Sequence, residues 1–251
     1  MSNIIIISFN RTGSNAFCHG LENKERFYVN EITHPALEMK VNKNSKVKPW
    51  TYTTEYSGQF YNNPYHWISK IKRRLNYLTN KQKYKNNFIC KLNIDHINPK
   101  FLEKQKQLIK DFLEKEIFGK YKIIFLHRNI KSTIISKKIA EVSGVYNEYK
   151  NNERNKEWES TFKTIDIEDA SNYLQIEQEK LHLEYWTNYF KSKDIIQYEY
   201  KDSMTDMSKE WSDIFKEHNG DGDCKTIKLK PASAKFDSLI FNIRKVWKHS
   251  Y

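Results

Sequence analysis

The chain has little of several residues on which particular protein classes depend. Its 251 residues include seven glycines, five prolines and three cysteines, Cys18, Cys90 and Cys224. An odd number of widely separated cysteines excludes a disulfide-rich scaffold. No apolar run approaches the roughly 18 residues that a membrane span needs, and no basic stretch or cleavage site marks the N-terminus as a targeting segment. These absences predict a cytoplasmic protein without a membrane anchor.

Motifs for metal binding and for several kinds of nucleophilic catalysis are also lacking. The eight histidines and three cysteines show no C-x-x-C or H-E-x-x-H spacing, so we expect no metal cofactor. There is no G-x-S-x-G elbow. There is also no G-x-x-x-x-G-K-[ST] loop, which disfavours a kinase that would use a lysine and Mg²⁺ on a nucleoside triphosphate.

What the chain does contain fits one folded domain. Hydrophobic residues make up 38% and aromatic residues 14% of the sequence, which excludes a disordered chain. The length suits a single α/β domain with a modest insertion, and we predict one domain over residues 1–251. Residues 40–86 show little periodicity and many aromatics, which is typical of an insertion, a lid or an acceptor-binding segment. The end of that segment, Trp67 to Leu78, is predicted to be a basic helix.

The charge of the chain is strongly positive and unevenly placed. The formal net charge is +12, with 43 Lys and Arg, of which seven are Arg. Residues 40–110 carry a net charge of +13, whereas residues 141–223 carry −10. Such an excess predicts an anionic partner, which can be a nucleic acid, a membrane surface or an anionic small molecule. A generally lysine-rich composition is the alternative explanation.

Apolar runs alternate with helical patterns along the chain. The run Asn3 to Phe9 is β-branched and continuous, as in a buried central strand of a parallel sheet. The alternation predicts an α/β fold of three layers, with a mostly parallel central sheet flanked by helices. Ligands of such sheets bind at the carboxyl ends of the strands. The other predicted strands are Arg26–Val29, Asn87–Leu92, Tyr121–His127 and Asp194–Tyr198. Helices are predicted from Pro99 to Phe118 and, in the C-terminal tail, over residues 238–247.

Two of these strand ends carry residues suited to anions. Arg11, Thr12, Gly13, Ser14 and Asn15 follow the first strand and lead into a predicted helix. A glycine that lets the backbone approach a ligand, hydroxyl and amide donors, and a guanidinium together favour an anion site. An ordinary turn between strand and helix is the alternative.

The second strand end is Leu126-His127-Arg128, with Ser136 eight residues beyond the arginine. Ser136 falls about two turns into the following predicted helix. An arginine and a serine so placed can hold one phosphate group through charge-assisted and neutral hydrogen bonds. A surface arginine and an unrelated helix serine would give the same spacing.

Together, the two motifs resemble those of the sulfotransferases that use 3′-phosphoadenosine 5′-phosphosulfate (PAPS). In the bacterial carbohydrate branch of that family, R-[ST]-G-[ST] binds the 5′-phosphosulfate, and here Arg11-Thr12-Gly13-Ser14 is similar to it. The family's hydrophobic strand, arginine and later serine bind the 3′-phosphate, and Arg128 and Ser136 stand in the same relation here. The resemblance implies a P-loop-like nucleotide-binding architecture, PAPS as the sulfuryl donor and no metal.

Weaker similarities extend the resemblance to about half of the chain. Residues 27–31 are similar to the segment that places an acidic base in the trehalose-type branch, which implies Glu31 as the general base. Asn93 occupies the position at which many relatives carry a catalytic histidine, which favours Glu31 over a histidine base. His34 and His96 are the alternatives. Residues 230–233 resemble a loop that closes over the nucleotide, which implies a binding role for Lys230 and Ser233.

The sequence therefore predicts a sulfotransferase that moves a sulfuryl group from PAPS to a hydroxyl of a carbohydrate or glycolipid. On this interpretation Arg11 also stabilises the leaving phosphate, and nucleic acid is not a partner. The alternative is a nucleic-acid-binding protein that uses the basic, aromatic residues 40–110. The two hypotheses differ in location, because the first relies on Arg11 and Arg128 at strand ends. Lys91 either lines the site or is an ordinary strand-end lysine.

Overall fold

The computed structural model describes residues 3–23, 26–34, 37–38, 51–52, 61–81, 87–143, 170–201 and 208–219. Five parallel strands form the main sheet: β1 (Ile4–Ser8), β2 (Phe27–Glu31), β5 (Phe88–Asn93), β6 (Lys122–Arg128) and β7 (Ile196–Tyr200). Their order across the sheet is β2-β5-β1-β6-β7. Two short antiparallel strands, β3 (Leu37–Glu38) and β4 (Thr51–Tyr52), pair with each other. The predicted parallel sheet of an α/β fold is confirmed.

Helices connect the strands and cover both faces of the sheet. They are α1 (Ser14–Gly20), α2 (Pro64–Asn80), α3 (Glu103–Phe112), α4 (Ile130–Ser143), α5 (Ala170–Lys191) and α6 (Ser208–Asn219). A 3₁₀ turn, Ile94–His96, follows β5, and a π-helical segment, Leu113–Phe118, continues α3. The helices that were predicted after β1, before β5, before β6 and after β6 are all present.

The isoleucine run of β1 explains why the sheet is covered on both sides. Ile4 and Ile6 pack in the cluster that contains α1 and α6, whereas Ile5 and Ile7 pack in the cluster of α2, α3 and α5. All four are essentially inaccessible to solvent. Successive side chains of a strand point to opposite faces, so a continuous apolar run requires a helix layer on each side.

Helix α2 shows that the second half of segment 40–86 belongs to this core. The Asn63 side chain accepts a hydrogen bond from the Tyr65 amide and Pro64 occupies the first turn, so the start of the helix is well defined. Trp67 and Ile71 are fully buried against the sheet. The predicted basic helix is therefore confirmed, and its basic side chains lie on the opposite, outer face except for Arg74.

Some boundaries differ from the expected ones. β2 extends through Glu31, and β7 lies two residues later than predicted, at Ile196–Tyr200. α3 begins at Glu103 instead of Pro99, where the Gln105 side chain accepts a hydrogen bond from the Leu102 amide. The predicted helix of the C-terminal tail, 238–247, lies outside the described residues.

Candidate functional site

The candidate site lies at the carboxyl ends of β1, β2, β5 and β6. β1 and β6 are neighbours, but the chain leaves β1 towards β2 on one side and leaves β6 towards β7 on the other. Neighbouring strands whose connections diverge form a crevice, and that crevice is the usual ligand site of open α/β sheets. The register pairs Ser8 with Asn93 and with Leu126, so the residues that follow these three strands meet at one edge.

The loop between β1 and α1, residues 10–13, has an unusual backbone. Arg11 has a φ of 65° and Gly13 a φ of 70°, both in the left-handed region. A side chain at position 13 would also lie 3.0 Å from the rings of Tyr200 and Trp211, so this position needs glycine. Thr12 is fully buried and its hydroxyl donates to the Phe9 carbonyl at 2.8 Å. Non-glycine residues with positive φ are strained and occur often at functional sites.

The two predicted anion motifs meet at this loop. The Nε of Arg11 donates a hydrogen bond to the Oγ of Ser136 over 3.1 Å, although the residues are 125 positions apart. The Nη1 of Arg128 donates to the carbonyl of Arg11 over 2.9 Å, and its guanidinium lies 4.9 Å from the centre of the Tyr200 ring. Arg128 and Ser136 are each 7% exposed. Two guanidinium groups and a hydroxyl thus converge at this loop, and donors of these kinds are suited to anionic oxygens.

A second polar cluster surrounds Glu31 at the end of β2. The register pairs Glu31 with Lys91, and its Oε2 lies 2.8 Å from the Lys91 Nζ. Its Oε1 lies 2.8 Å from the Nδ1 of His96, which the 3₁₀ turn after β5 places there. The register shifts between Tyr28 and Asn30, and Asn30, which precedes Glu31, has a φ of 104°. The carboxylate is therefore held on both oxygens.

The protonation of this cluster follows from burial and from its charges. Burial by itself raises the pKa of Glu31, but Lys91 and His96, which both donate to the carboxylate, bring that pKa well below its ordinary value. Glu31 is therefore ionised, and the shift is opposite to the raised pKa that suits a general base. Burial lowers the pKa of His34 to about 4, so His34 is neutral at pH 7. Its ring centre lies 5.2 Å from that of His96.

Lys91 connects this cluster to the loop region. Besides contacting Glu31, its Nζ donates to the Oδ1 of Asn15 over 3.0 Å. The Tyr28 hydroxyl donates to the same oxygen over 3.3 Å. Asn15 is thus in contact with the predicted base region, and Ser14, its neighbour, is buried at the start of α1. Lys91 thus lies between Glu31 and the first helix, at the edge of the sheet where the candidate site lies.

Two charged residues at this edge were not singled out from the sequence. Asp95 accepts hydrogen bonds from the Asn10 amide and from the Lys137 Nζ. Lys137 also donates to the Glu179 carboxylate of α5 over 2.6 Å. Burial by itself lowers the pKa of Lys137, but the two carboxylates raise it above its ordinary value. The sequence contains one signal for Asp95, because Asp95 is the single acidic residue between Glu55 and Glu103.

The two predicted cofactor-binding residues of the C-terminal loop are not part of the described structure. Lys230 and Ser233 lie outside the described residues. Within the described ranges, no group of three or more histidine, cysteine or carboxylate side chains is arranged to hold a metal ion. No helix of the described part is both long and apolar enough to cross a membrane.

Comparisons with known proteins identified no relative of the chain. No protein-family model matches the chain, and no curated protein matches its sequence.

Proposed function

We propose that the chain is a sulfotransferase that transfers a sulfuryl group from PAPS to a hydroxyl of a carbohydrate or glycolipid. The observation that carries the proposal is the hydrogen bond between Arg11 and Ser136. Each residue belongs to a different predicted anion motif, and the fold brings them together at the crevice between β1 and β6. Arg128 lies at the same place, in contact with the backbone of Arg11.

The chemistry of transfer suits this arrangement. In sulfuryl transfer the acceptor oxygen bonds to sulfur while the bond between sulfur and the phosphate oxygen of the donor breaks. Negative charge then grows on that phosphate, and fixed cations and hydrogen-bond donors stabilise it. Arg11 and the loop 10–13 would provide this stabilisation, and Arg128 with Ser136 would hold the 3′-phosphate. In this sense the proposed architecture is P-loop-like, without the lysine and Mg²⁺ ligands of a triphosphatase.

The proton of the acceptor hydroxyl needs a base, and the Glu31–His96 pair is suited to supply it. A carboxylate that accepts from Nδ1 fixes the histidine tautomer and leaves Nε2 as the nitrogen that takes a proton. The lowered pKa makes Glu31 a weak base, which favours His96 as the proton acceptor and Glu31 as the group that orients it. His34 is close to this pair, with 5.2 Å between the ring centres of His34 and His96.

The alternative, nucleic-acid binding by residues 40–110, has less support. Arg74 is fully buried, and its guanidinium donates to the carbonyls of Ile32 and His34. Lys91 is buried against Glu31. These two cations of the basic region serve contacts within the fold, so the net charge of the region overstates what is offered to a polyanion.

Binding of the product nucleotide, adenosine 3′,5′-bisphosphate, tests the proposal directly. At 100 times its Kd, the nucleotide should raise the melting temperature of the wild-type protein by about 5–10 °C. Arg11→Ala and Ser136→Ala should each reduce this shift strongly. Arg73→Ala is the matched control, because Arg73 is an exposed arginine on α2, away from the strand ends.

Three outcomes would count against the proposal. No shift at millimolar nucleotide would remove its basis. An equal shift in Arg11→Ala and in the wild type would place the nucleotide elsewhere. A shift with single-stranded oligonucleotides that exceeds the shift with the mononucleotide would favour the nucleic-acid-binding alternative.

A further inference from the structure

Asp95 joins the loop that carries Arg11 to the helix that carries Ser136. One carboxylate oxygen accepts from the backbone amide of Asn10, and the other accepts from the Nζ of Lys137. Asn10 immediately precedes Arg11, and Lys137 immediately follows Ser136. The Asp95 carboxylate, 7% exposed at residue level, thus links the two neighbours of the Arg11–Ser136 pair.

The loop side of this link is the strained one. Arg11 has a φ of 65°, which a non-glycine residue keeps only where its surroundings hold it. The end of β5 supplies two such contacts to Asn10, the Asp95 carboxylate to its amide and the Asn93 side chain to its Oδ1 at 2.6 Å. Asn93 also accepts from the Asp95 amide over 3.0 Å, which orients the carboxylate itself.

The helix side of the link is ionic and reaches further. The Lys137 side chain is 12% exposed and lies between Asp95 and Glu179, which is on α5. Lys137 therefore ties α4 both to the end of β5 and to α5. A lysine held by two carboxylates in a buried setting has little freedom to move away from either.

We propose that Asp95 and Lys137 are positioning residues that set the distance between Arg11 and Ser136 and so preorganise the anion site. This inference rests on the proposed function for the identity of the anion, a nucleotide phosphate. It assigns a role to two residues that do not themselves contact that phosphate.

Lys137 has an electrostatic role as well as a geometric one. Asp95 is a carboxylate at the edge where the anion binds, and unpaired it would repel the ligand. Removal of Lys137 alone should therefore weaken anion binding in two ways, by loosening the helix and by exposing the site to the charge of Asp95. Removal of both charges, with an asparagine that still accepts from the Asn10 amide, should restore the part of the binding that the unpaired charge of Asp95 opposes, but not the part that depends on the link between loop and helix.

The experiment compares Lys137→Met, the double variant Asp95→Asn/Lys137→Met, and Lys138→Met as the control on the same helix. Two measurements are made on each protein, NMR-detected exchange of the Asn10 amide without ligand and the Kd for adenosine 3′,5′-bisphosphate. Lys137→Met should raise the exchange rate and the Kd about tenfold or more, the size expected when a charge-assisted hydrogen bond is lost. The double variant should bind the nucleotide more tightly than Lys137→Met but more weakly than the wild type, and Lys138→Met should match the wild type.

The two readouts separate this inference from the proposed function. If the wild type fails to bind the nucleotide, the proposed function fails, while faster Asn10 exchange in Lys137→Met alone would still support positioning of the loop. Unchanged exchange in Lys137→Met would overturn the inference whatever the nucleotide does. A Kd in Lys137→Met equal to that of a wild type that binds the nucleotide would overturn it too, as would a double variant that binds as tightly as the wild type.

Discussion

Basic side chains have different surroundings at the carboxyl-end edge of the sheet and on the outer surface of α3 and α5. At the edge, the Lys91 side chain is 7% exposed and lies against a carboxylate. On α3, Lys106 and Lys110 are only partly buried and lie 4.3 and 4.5 Å from the centre of the Tyr185 ring. Both regions contribute to the same net charge of +12.

The difference shows why the net charge is a poor guide to chemistry in this chain. Exposed charges are screened by water and salt, and each exposed pair contributes little to stability or to recognition. Buried charges act in a medium of low polarisability, so their positions determine protonation and ligand preference. Changes at the edge should therefore have large effects, and the same changes on the surface should have small ones.

The largest contrast is expected between two carboxylates, Glu31 at the edge and Glu103 on the surface. Glu31→Gln should lower turnover by about 10²–10⁴-fold, because the amide no longer orients His96 as a base. Glu103→Gln should leave turnover unchanged, since Glu103 contacts the hydroxyl of Tyr185 on the far side of α3. The assay is the release of adenosine 3′,5′-bisphosphate from PAPS in the presence of a panel of saccharides and glycolipids.

Nucleotide affinity serves as the control for that comparison. Glu31→Gln should keep the Kd for adenosine 3′,5′-bisphosphate near the wild-type value, which would show that the anion site is intact. Full turnover in Glu31→Gln would remove Glu31 from the mechanism. Full turnover in His96→Gln would remove His96.

A smaller contrast is expected between two adjacent arginines of α2. Arg74→Ala removes a buried guanidinium that donates to the carbonyls of Ile32 and His34, so it should lower the free energy of unfolding by about 3 kcal/mol. Arg73→Ala removes an exposed arginine and should change that free energy by less than about 0.5 kcal/mol. Urea unfolding of both variants measures the difference. Equal losses of unfolding free energy would mean that burial does not make the two arginines differ in their contribution to stability.

The smallest effect is expected from the buried histidines as the pH falls. Burial lowers the pKa of His182 to about 4, as it does for His34, against an ordinary value of 6.5. Below pH 6.5 the unfolded chain takes up these protons and the folded chain does not, so stability is complete above that pH and is lost towards pH 4. For His182 the loss should be about 1–3 kcal/mol.

Urea unfolding at pH 7.5, 6 and 5 measures this dependence. His182→Gln should make the decline shallower, because the variant has no proton to take up at that position. His66→Gln is the matched control on the surface and should reproduce the wild-type profile. A profile for His182→Gln that is as steep as that of the wild type would contradict the expectation.

Much of the fold was predictable because its signals are local. The isoleucine run of β1 fixes a buried strand by composition alone, and Pro64 after Asn63 marks the start of α2. The two anion motifs were also recognisable in the sequence, since each has an arginine at the end of a predicted strand. By contrast, Lys137 looks like one of many lysines in a helix, and only contact with Asp95 and Glu179 distinguishes it.

The sequence by itself determined the alternation of strands and helices, the need for a helix layer on each face, and the placement of arginines at two strand ends. These follow from side-chain periodicity and from short-range backbone chemistry. Only the tertiary structure decided that the Arg11 and Ser136 side chains touch, that Glu31 is held by Lys91 and His96, and that Asp95 connects loop to helix. Those contacts depend on strand order and register, which bring together residues far apart in the chain, and no local pattern encodes that distance.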